Sequence, residues 1–327
     1  MVFKTYQKGK LILKKSILDT NVIPINNAQI RKASAIAGMI RTKFENGEIE
    51  IPTSTGYKSI DKFYKGIKKG QIIILGGRSS MGKTTVALNM VYRLLNAGKK
   101  VLFVDTEEQQ EENIIRLFTI HKQFIFKDYL EADNLTENQK KEACLKLKEC
   151  EKWLDSKELY YVNKPNLTLK DINEIAKDYK DLDLVIIDHL TKIKSDVHGS
   201  RYEKVTDVAS NLRWLSAELG GVPLMLLAQI NREAVKGQGK KVKPPTIADI
   251  KGSGEIEENA DVVMLLHRDS YYNQEADTPL YCQAKEEPMM LIIGKARGSR
   301  TGCTSLKWIP DLYTVSDYGE KIHGIPN

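Results

Sequence analysis

Cysteine and long hydrophobic runs are both scarce in this chain of 327 residues. Its four cysteines form no C-x-x-C pair and show no metal-ligand spacing, which argues against a zinc site and indicates reduced structural thiols. No apolar run approaches the roughly 20 residues that a membrane-spanning helix needs. The basic N-terminus is followed by neither a continuous apolar core nor a small-residue cleavage site, so a secretory signal is not expected. We therefore expect no membrane partner and a cytoplasmic location.

Sequence repeats and low-complexity tracts are absent too, and the remaining composition is that of a globular protein. Hydrophobic residues make up 41% of the chain and charged residues 28%. The net charge of +7, from 50 basic and 43 acidic residues, is compatible with a polyanionic partner and does not establish one. The basic segment 236–245 fits a loop that contacts phosphates and fits an ordinary solvated loop equally well.

One segment matches the phosphate-binding loop pattern G-x-x-x-x-G-K-[ST] without a mismatch. An apolar run over 71–75 predicts a strand before it, and an apolar stripe over 85–95 predicts a helix after it. Backbone N–H groups of such a loop and the positive end of the helix bind phosphates; Lys83 adds a positive charge, and Thr84 offers a hydroxyl to Mg²⁺. The sequence therefore predicts a nucleotide site formed by Gly77, Arg78, Ser79, Ser80, Met81, Gly82, Lys83, Thr84 and Thr85.

Strand-like runs alternate with helix-like segments from residue 51 onward. Further strands are predicted over 101–105, 183–188, 223–229, 262–267 and 290–295, and helices over 137–153 and 205–219. This alternation predicts an α/β fold with a mostly parallel central sheet and helices on both faces. In such folds, ligands bind at the C-terminal ends of the strands.

The residues before position 51 do not follow this alternation of strands and helices. The first 28 residues carry little periodicity and are interpreted as an arm or a small strand-like element. From Asn27 to about Phe44, apolar residues three and four apart predict an amphipathic helix, which Asn46-Gly47 ends. The apolar face of this helix packs either on its own domain or on a neighbouring subunit.

Three predicted strands end in polar residues that suit phosphate chemistry. Glu107 follows the strand over 101–105, where a carboxylate can orient or deprotonate water, although acidic residues there also suit the start of the next helix. Asp188 ends a run of four apolar residues, the Walker-B pattern of a carboxylate that holds Mg²⁺ directly or through water. Gln229 ends the next strand and can sense the terminal phosphate.

A basic turn follows the last predicted strand. Lys295 and Arg297 are two residues apart, so on a strand their side chains would point to the same side. Two cations that project together can act on the nucleotide of a neighbouring subunit, as an arginine finger does. A surface hairpin with basic residues has the same pattern.

Taken in order, these motifs resemble the motor domain of DnaB-type replicative DNA helicases over about residues 30 to 310. Besides the phosphate loop, the resemblance is carried by the segments Ile51-Pro52-Thr53, Ile60-Asp61, Ile186-Ile187-Asp188-His189-Leu190, Leu227-Ala228-Gln229-Ile230-Asn231-Arg232, Ser253-Gly254-Glu255-Ile256-Glu257-Glu258-Asn259-Ala260-Asp261 and Ile293-Gly294-Lys295-Ala296-Arg297-Gly298.

This resemblance implies an N-terminal arm over 1–28, a linker helix over 29–50 and a RecA-like ATPase motor over 51–327. It implies ATP and Mg²⁺ as cofactors, a homo-oligomeric ring of six subunits, single-stranded DNA in its channel, and a helicase loader or primase as a further partner. The catalytic residues would be Lys83, Glu107, Gln229, Lys295 and Arg297, with Thr84 and Asp188 at the metal. The DNA-facing residues would be Arg232, Lys251, Gly252, Ser253 and Gly254.

Three departures from the family pattern stand out. The roughly 28 residues ahead of the helix are too few to build the helical N-terminal collar that is usual in the family. Gly252 stands where an acidic residue is frequent, and His189 replaces a tyrosine. None of these changes removes a catalytic group.

Two other functions fit the same motifs. A RecA- or RadA-like recombination ATPase would share the core and form filaments, although no zinc-finger cysteines precede the phosphate loop, as the RadA type would have. A nucleotide-gated helicase loader or adaptor would bind a partner without translocating. The sequence does not distinguish a cellular origin from a phage or plasmid origin, for which the location would be the host cytoplasm.

Overall fold

The computed structural model describes residues 2–7, 10–15, 23–25, 28–30, 32–48, 50–106, 110–122, 134–231, 243–250, 253–272 and 286–320. The chain divides into two compact units, Met1–Ile51 and Pro52–Asn327. Within the described part of the chain, no helix is long and apolar enough to cross a membrane.

Among its described residues, the first unit contains two pairs of short antiparallel strands and one helix. Strands β1 (Val2–Gln7) and β2 (Lys10–Lys15) pair with each other, as do β3 (Ile23–Ile25) and β4 (Ala28–Ile30). Helix α1 (Ala33–Glu45) follows and ends at Asn46. Asn27, the predicted start of this helix, lies outside the described residues; Ala28–Ile30, which the prediction placed in the helix, are paired as β4 instead.

The second unit is an α/β domain. Its helices are α2 (Lys58–Tyr64), α3 (Lys83–Asn96), α4 (Gln110–Lys122), α5 (Glu137–Asp155), α6 (Leu169–Lys177), α7 (Arg201–Glu218) and α8 (Ser253–Asn259). Its strands are β5 (Ile72–Gly77), β6 (Val101–Asp105), β7 (Leu159–Asn163), β8 (Leu184–Asp188), β9 (Leu224–Gln229), β10 (Val262–His267), β11 (Glu287–Ala296), β12 (Gly302–Ile309) and β13 (Thr314–Asp317).

These strands form a mixed sheet in the order β13-β12-β11-β10-β5-β9-β8-β6-β7. From β10 to β7 all neighbours are parallel, whereas β11, β12 and β13 add to the β10 edge as antiparallel strands. The predicted α/β fold with a mostly parallel sheet is therefore confirmed. Strand β5 lies between β9 and β10 in the middle of the sheet. The loop after β5 therefore lies at the centre of the edge where the parallel strands have their C-terminal ends.

Hydrophobic cores cover both faces of this sheet. On one face α3 packs on β5, β6, β8 and β9; on the other, α6 and α7 pack on the alternate residues of the same strands. Each central strand is therefore buried on both faces and is apolar along its length, as expected for parallel strands between helix layers. The first core includes Val86, Met90, Phe103 and Ile186, and the second includes Leu102, Ile187, Ala209 and Leu212.

Strand β13 and the residues on either side of it also support α3. The Asn89 side chain donates to the carbonyl of Tyr313 (2.7 Å) and accepts from the N–H of Val315 (3.0 Å). One turn further, Arg93 forms an ion pair with Glu320 (2.6 Å). Residues around β13 thus fix the helix that follows the phosphate loop.

Candidate nucleotide-binding site

The segment between β5 and α3 forms a loop that leads into a helix N-terminus. Gly82 caps this helix with φ of 99°, a left-handed conformation that favours glycine. A Cβ at this position would lie 3.0 Å from Cε of Met289. The Lys83 ammonium donates to the carbonyl of Arg78 across the loop (3.0 Å). The loop therefore has the curled backbone and the positive charge that phosphate binding requires.

Thr84 and Asp188 meet at the C-terminal edge of the sheet. Thr84 Oγ1 donates a hydrogen bond to Asp188 Oδ2 (2.7 Å). Asp188 is a buried residue, with 4% exposure. This contact joins the phosphate loop to the end of β8 across β9, as the parallel sheet dictates.

A cavity of about 400 Å³ opens above these two residues. Eight residues predicted for the site line it together: Ser79, Ser80, Gly82, Lys83, Thr84, Thr85, Asp188 and Gln229. Its wall also includes side chains that the sequence did not single out for it, from α4, β12 and the turns after β8 and β12: Arg116, His189, Trp308 and Tyr313. His189 directly follows Asp188 in its motif, whereas Arg116, Trp308 and Tyr313 lie outside the motifs, and no local pattern marks them.

The ends of β6 and β8 are joined by a threonine that the sequence analysis missed. Thr106 Oγ1 donates to the carbonyl of Asp188 (2.9 Å) and accepts from the N–H of His189 (3.2 Å). Just before it, the Asp105 carboxylate accepts hydrogen bonds from Asn113 and from the hydroxyl of Tyr161. Burial, together with the bond to Asp105, raises the pKa of Tyr161 well above its usual range.

The outer side of the phosphate loop is held by Arg268, which follows β10. Its guanidinium donates to the carbonyl of Ser80 (2.9 Å) and pairs with Glu287 (3.3 Å). The guanidinium carbon also lies 3.7 Å from the centroid of the Trp308 ring. A buried cation thus connects the loop to β11 and β12.

Lys295 and Arg297 lie beside the C-terminal end of α8. The Lys295 ammonium donates to the carbonyl of Glu257, and Arg297 donates to that of Glu258 (2.9 Å) and contacts Asp261 (3.5 Å). Burial lowers the pKa of Lys295, and the neighbouring Arg297 cation lowers it further. Arg297 belongs to the turn after β11 rather than to the strand. Within the described ranges, neither cation lines the cavity.

The structure describes only part of the predicted site. The predicted catalytic residue Glu107 and the predicted DNA-facing residues Arg232, Lys251 and Gly252 lie outside the described residues. Gly254 lies in the first turn of α8.

The donor set at the cavity suits magnesium. A hydroxyl and a carboxylate are hard oxygen ligands, and Mg²⁺ binds to one or two protein oxygens together with waters and substrate phosphates. Among the residues that the structure describes, no group of three or more His, Cys, Asp or Glu could hold a metal without such help. Thr84 and Asp188 therefore fit a metal that arrives with a nucleotide.

A glycine-capped loop at a helix N-terminus, with its threonine bonded to a strand-end aspartate, defines a P-loop nucleotide-binding protein. Comparison with known proteins narrows this class. The sequence profile described as "DnaB-like helicase C terminal domain" matches residues 53–317, and the chain belongs to this family.

Known relatives agree with this assignment. The replicative DNA helicase DnaB of Helicobacter pylori (strain ATCC 700392 / 26695) is 29% identical over 255 residues, which cover 76% of this chain and 50% of that protein. A probable replicative DNA helicase of Trieres chinensis is 29% identical over 272 residues, covering 81% and 57%. The chain thus spans about half the length of the curated relatives it matches.

Solved structures share the fold. The one described as "The Structure Of A DnaB-Like Replicative Helicase And Its Interactions With Primase" superposes with a TM-score of 0.71 at 21% identity, covering 88% of this chain and 67% of that one. A solved ATPase domain superposes with a TM-score of 0.73 at 22% identity, covering 88% and 99%. The predicted RecA-like fold is confirmed by these likenesses.

Proposed function

We propose that this chain is the motor of an ATP-dependent DNA helicase of the replicative type. It would assemble as a ring, move along single-stranded DNA and unwind duplex. The observation that carries the proposal is the bond between Thr84 and Asp188 inside a cavity that also presents Lys83 and Gln229. In a member of the DnaB-like helicase family, this constellation is best explained as an ATP hydrolysis site.

Each residue would have a defined task in hydrolysis. The loop N–H groups and Lys83 bind the phosphates of ATP, while Thr84 and Asp188 hold the metal, directly or through water. When bound, Mg²⁺ neutralises charge that develops on the phosphates. Glu107 orients the attacking water, and Gln229 senses the terminal phosphate. Catalysis would therefore rest on positioning and electrostatic stabilisation.

The remaining residues would act between molecules. Lys295 and Arg297 would complete the site of the adjacent subunit in a ring of six. Arg232 and residues 251–254 would contact DNA phosphates, which position a strand without reading its sequence. Exposed Ile40 and Phe44 leave an apolar stripe on α1 that a second subunit would cover. A loader or primase would be a further partner, and the cytoplasm is the expected location.

The family match favours this function over its rivals. The matched family profile is that of a helicase domain rather than of a recombination ATPase or a loader. A filament-forming recombination ATPase would show open filaments, instead of rings, in electron micrographs. A loader or adaptor would hydrolyse ATP without releasing a strand from a forked duplex.

Strand displacement with site variants tests the proposal directly. Lys83→Ala should abolish both ATP hydrolysis and release of a strand from a forked duplex, because the phosphates lose their principal positive charge. Lys148→Ala, which removes an exposed lysine on α5, serves as the matched control and should keep both activities. Full hydrolysis by Lys83→Ala would rule out this site, and hydrolysis without strand release by the unaltered protein would favour the adaptor.

A further inference from the structure

We propose that Thr106 is a positioning residue for the reaction. Its hydroxyl fixes the peptide that follows Asp188 and so keeps that carboxylate directed at Thr84, where the metal would bind. This inference rests on the proposed function, since it assigns a task in the same nucleotide site.

The contacts of Thr106 join two strands at their catalytic ends. Its hydroxyl donates to the carbonyl of Asp188 (2.9 Å) and accepts from the N–H of His189 (3.2 Å). One side chain therefore bonds to both polar atoms of the Asp188–His189 peptide. Thr106 is 9% exposed and His189 is 6% exposed, so water does not readily replace either bond.

A hydroxyl is required for this double contact. It is donor and acceptor at once, whereas the methyl group of a valine of the same shape is neither. The backbone N–H of Thr106 also donates to the Asp188 carbonyl (2.8 Å), so the two strands stay joined without the hydroxyl. Loss of the hydroxyl therefore removes both of its bonds to the Asp188–His189 peptide and loosens the peptide beside Asp188, while the sheet persists.

The preceding residue explains why Thr106 cannot simply move aside. Asp105 pairs in register with Asp188 and is held by Asn113 Nδ2 (2.8 Å) and by Tyr161. The Tyr161 ring in turn stacks on Phe103 with planes 3° apart. The backbone before Thr106 is therefore fixed. From this fixed position Thr106 joins the ends of β6 and β8 to each other.

Magnesium dependence is the measurement that separates positioning from general stability. We would record the thermal midpoint of the protein with ATP while titrating Mg²⁺, and the kcat and KM of ATP hydrolysis. In Thr106→Val, the Mg²⁺ concentration for half-maximal stabilisation should rise and kcat should fall, each by about tenfold, the size seen when a partner of a metal ligand is lost. Thr106→Ser keeps the hydroxyl and should stay within about twofold of the unaltered protein on both counts.

Thr119→Val is the matched control. Thr119 is a fully buried threonine on α4 whose hydroxyl donates to the carbonyl of Ile115 in its own helix (2.9 Å). This variant should lower the thermal midpoint without ATP and leave the magnesium dependence unchanged. The proposal is overturned if Thr106→Val titrates like the unaltered protein, or if Thr119→Val shifts the magnesium titration equally.

Two further comparisons keep the test decisive. If Thr106→Val does not fold, Thr106→Ala takes its place, with the same expected shift. If Lys83→Ala is inactive while Thr106→Val and Thr106→Ala behave like the unaltered protein, the role of Thr106 is refuted and the proposed function still stands. The proposed function fails if Lys83→Ala still hydrolyses ATP, whatever the Thr106 variants do.

Discussion

Among single residues, Arg268 shows how a charge buried outside the cavity can support the phosphate loop. Its side chain is 7% exposed and that of its partner Glu287 is 8% exposed. Burial lowers the pKa of Arg268, and the neighbouring carboxylate opposes this effect. A buried ion pair contributes little compared with apolar residues of the same volume, but removal of one partner leaves an uncompensated charge.

Arg268→Met should therefore destabilise the protein by about 3 kcal/mol, because Glu287 loses its cation and Ser80 its donor. Urea unfolding measures this change. A double variant that also carries Glu287→Gln should recover part of the loss. As the control, Lys170→Met breaks an exposed ion pair with Asp196 and should cost less than about 0.5 kcal/mol. Equal losses in the two single variants would contradict this account.

Among the elements, the contact between α4 and α5 depends on an aromatic cluster. His121 of α4 stacks on Trp153 of α5 with ring centroids 4.3 Å apart, and Tyr92 of α3 approaches both. Burial lowers the pKa of His121, and the cations Lys122 and Lys157 lower it further. Protonation of this imidazole is therefore less favourable in the folded protein, where α4 and α5 pack, than in the unfolded chain.

This contact should weaken in mild acid. The unfolded chain binds a proton at His121 near pH 6.5, whereas the folded protein takes it up only at lower pH. Between these values the unfolded state binds more protons, so the free energy of unfolding falls as the pH falls below about 6.5. Denaturant unfolding at pH 8 and pH 5.5 should show a smaller pH effect in His121→Phe, which keeps the ring stack. Identical pH effects in the two proteins would exclude this role of His121.

Central strands could be predicted from sequence, and edge strands could not. β6 and β10 match their predicted bounds, and β8 and β9 begin one residue later than predicted, because strands buried on both faces are continuous apolar runs. Strand β7 lies at one edge of the sheet with half-buried tyrosines, and β12, which lies next to the other edge strand, begins with four small residues, so neither carries a clear period.

The residues of the candidate site also fall into two groups: those that a local motif predicts and those that only the fold brings together. Local motifs predicted Lys83, Thr84, Asp188 and Gln229, whose side chains the structure brings to one cavity. Arg116, Trp308 and Tyr313 reach that cavity only through the fold. Thr106 depends on the register between β6 and β8, which a single sequence does not contain.

For the whole molecule, the position of Arg297 is the informative feature. It is 53% exposed at the side chain and is held by the carbonyl of Glu258 and by Asp261 of its own subunit. A cation placed at the surface, outside the cavity of its own chain, suits action on a neighbour. The proposed function therefore requires that sites be completed between subunits.

Mixing of variants tests this requirement. Arg297→Ala should bind ATP and lose hydrolysis, because charge on the transferred phosphate is no longer neutralised. Mixed with inactive Lys83→Ala subunits, it should regain hydrolysis at interfaces that pair an intact Lys83 with an intact Arg297. Steady-state ATP turnover measures both effects, with Arg300→Ala, an exposed arginine of the same turn, as the control. Absence of any activity in the mixture would remove the support for action between subunits.

The support that α3 receives from β13 has a consequence for biosynthesis. Asn89 is separated from Val315 by 226 positions, and Arg93 from Glu320 by 227. Since translation proceeds from the N-terminus, the ribosome has completed the P-loop long before it makes the residues that secure the helix behind it. A nascent chain that stops short of Val315 therefore carries the phosphate-loop motif but lacks the strand that secures this helix, so we expect it to bind a nucleotide only after Val315 and Glu320 have been made.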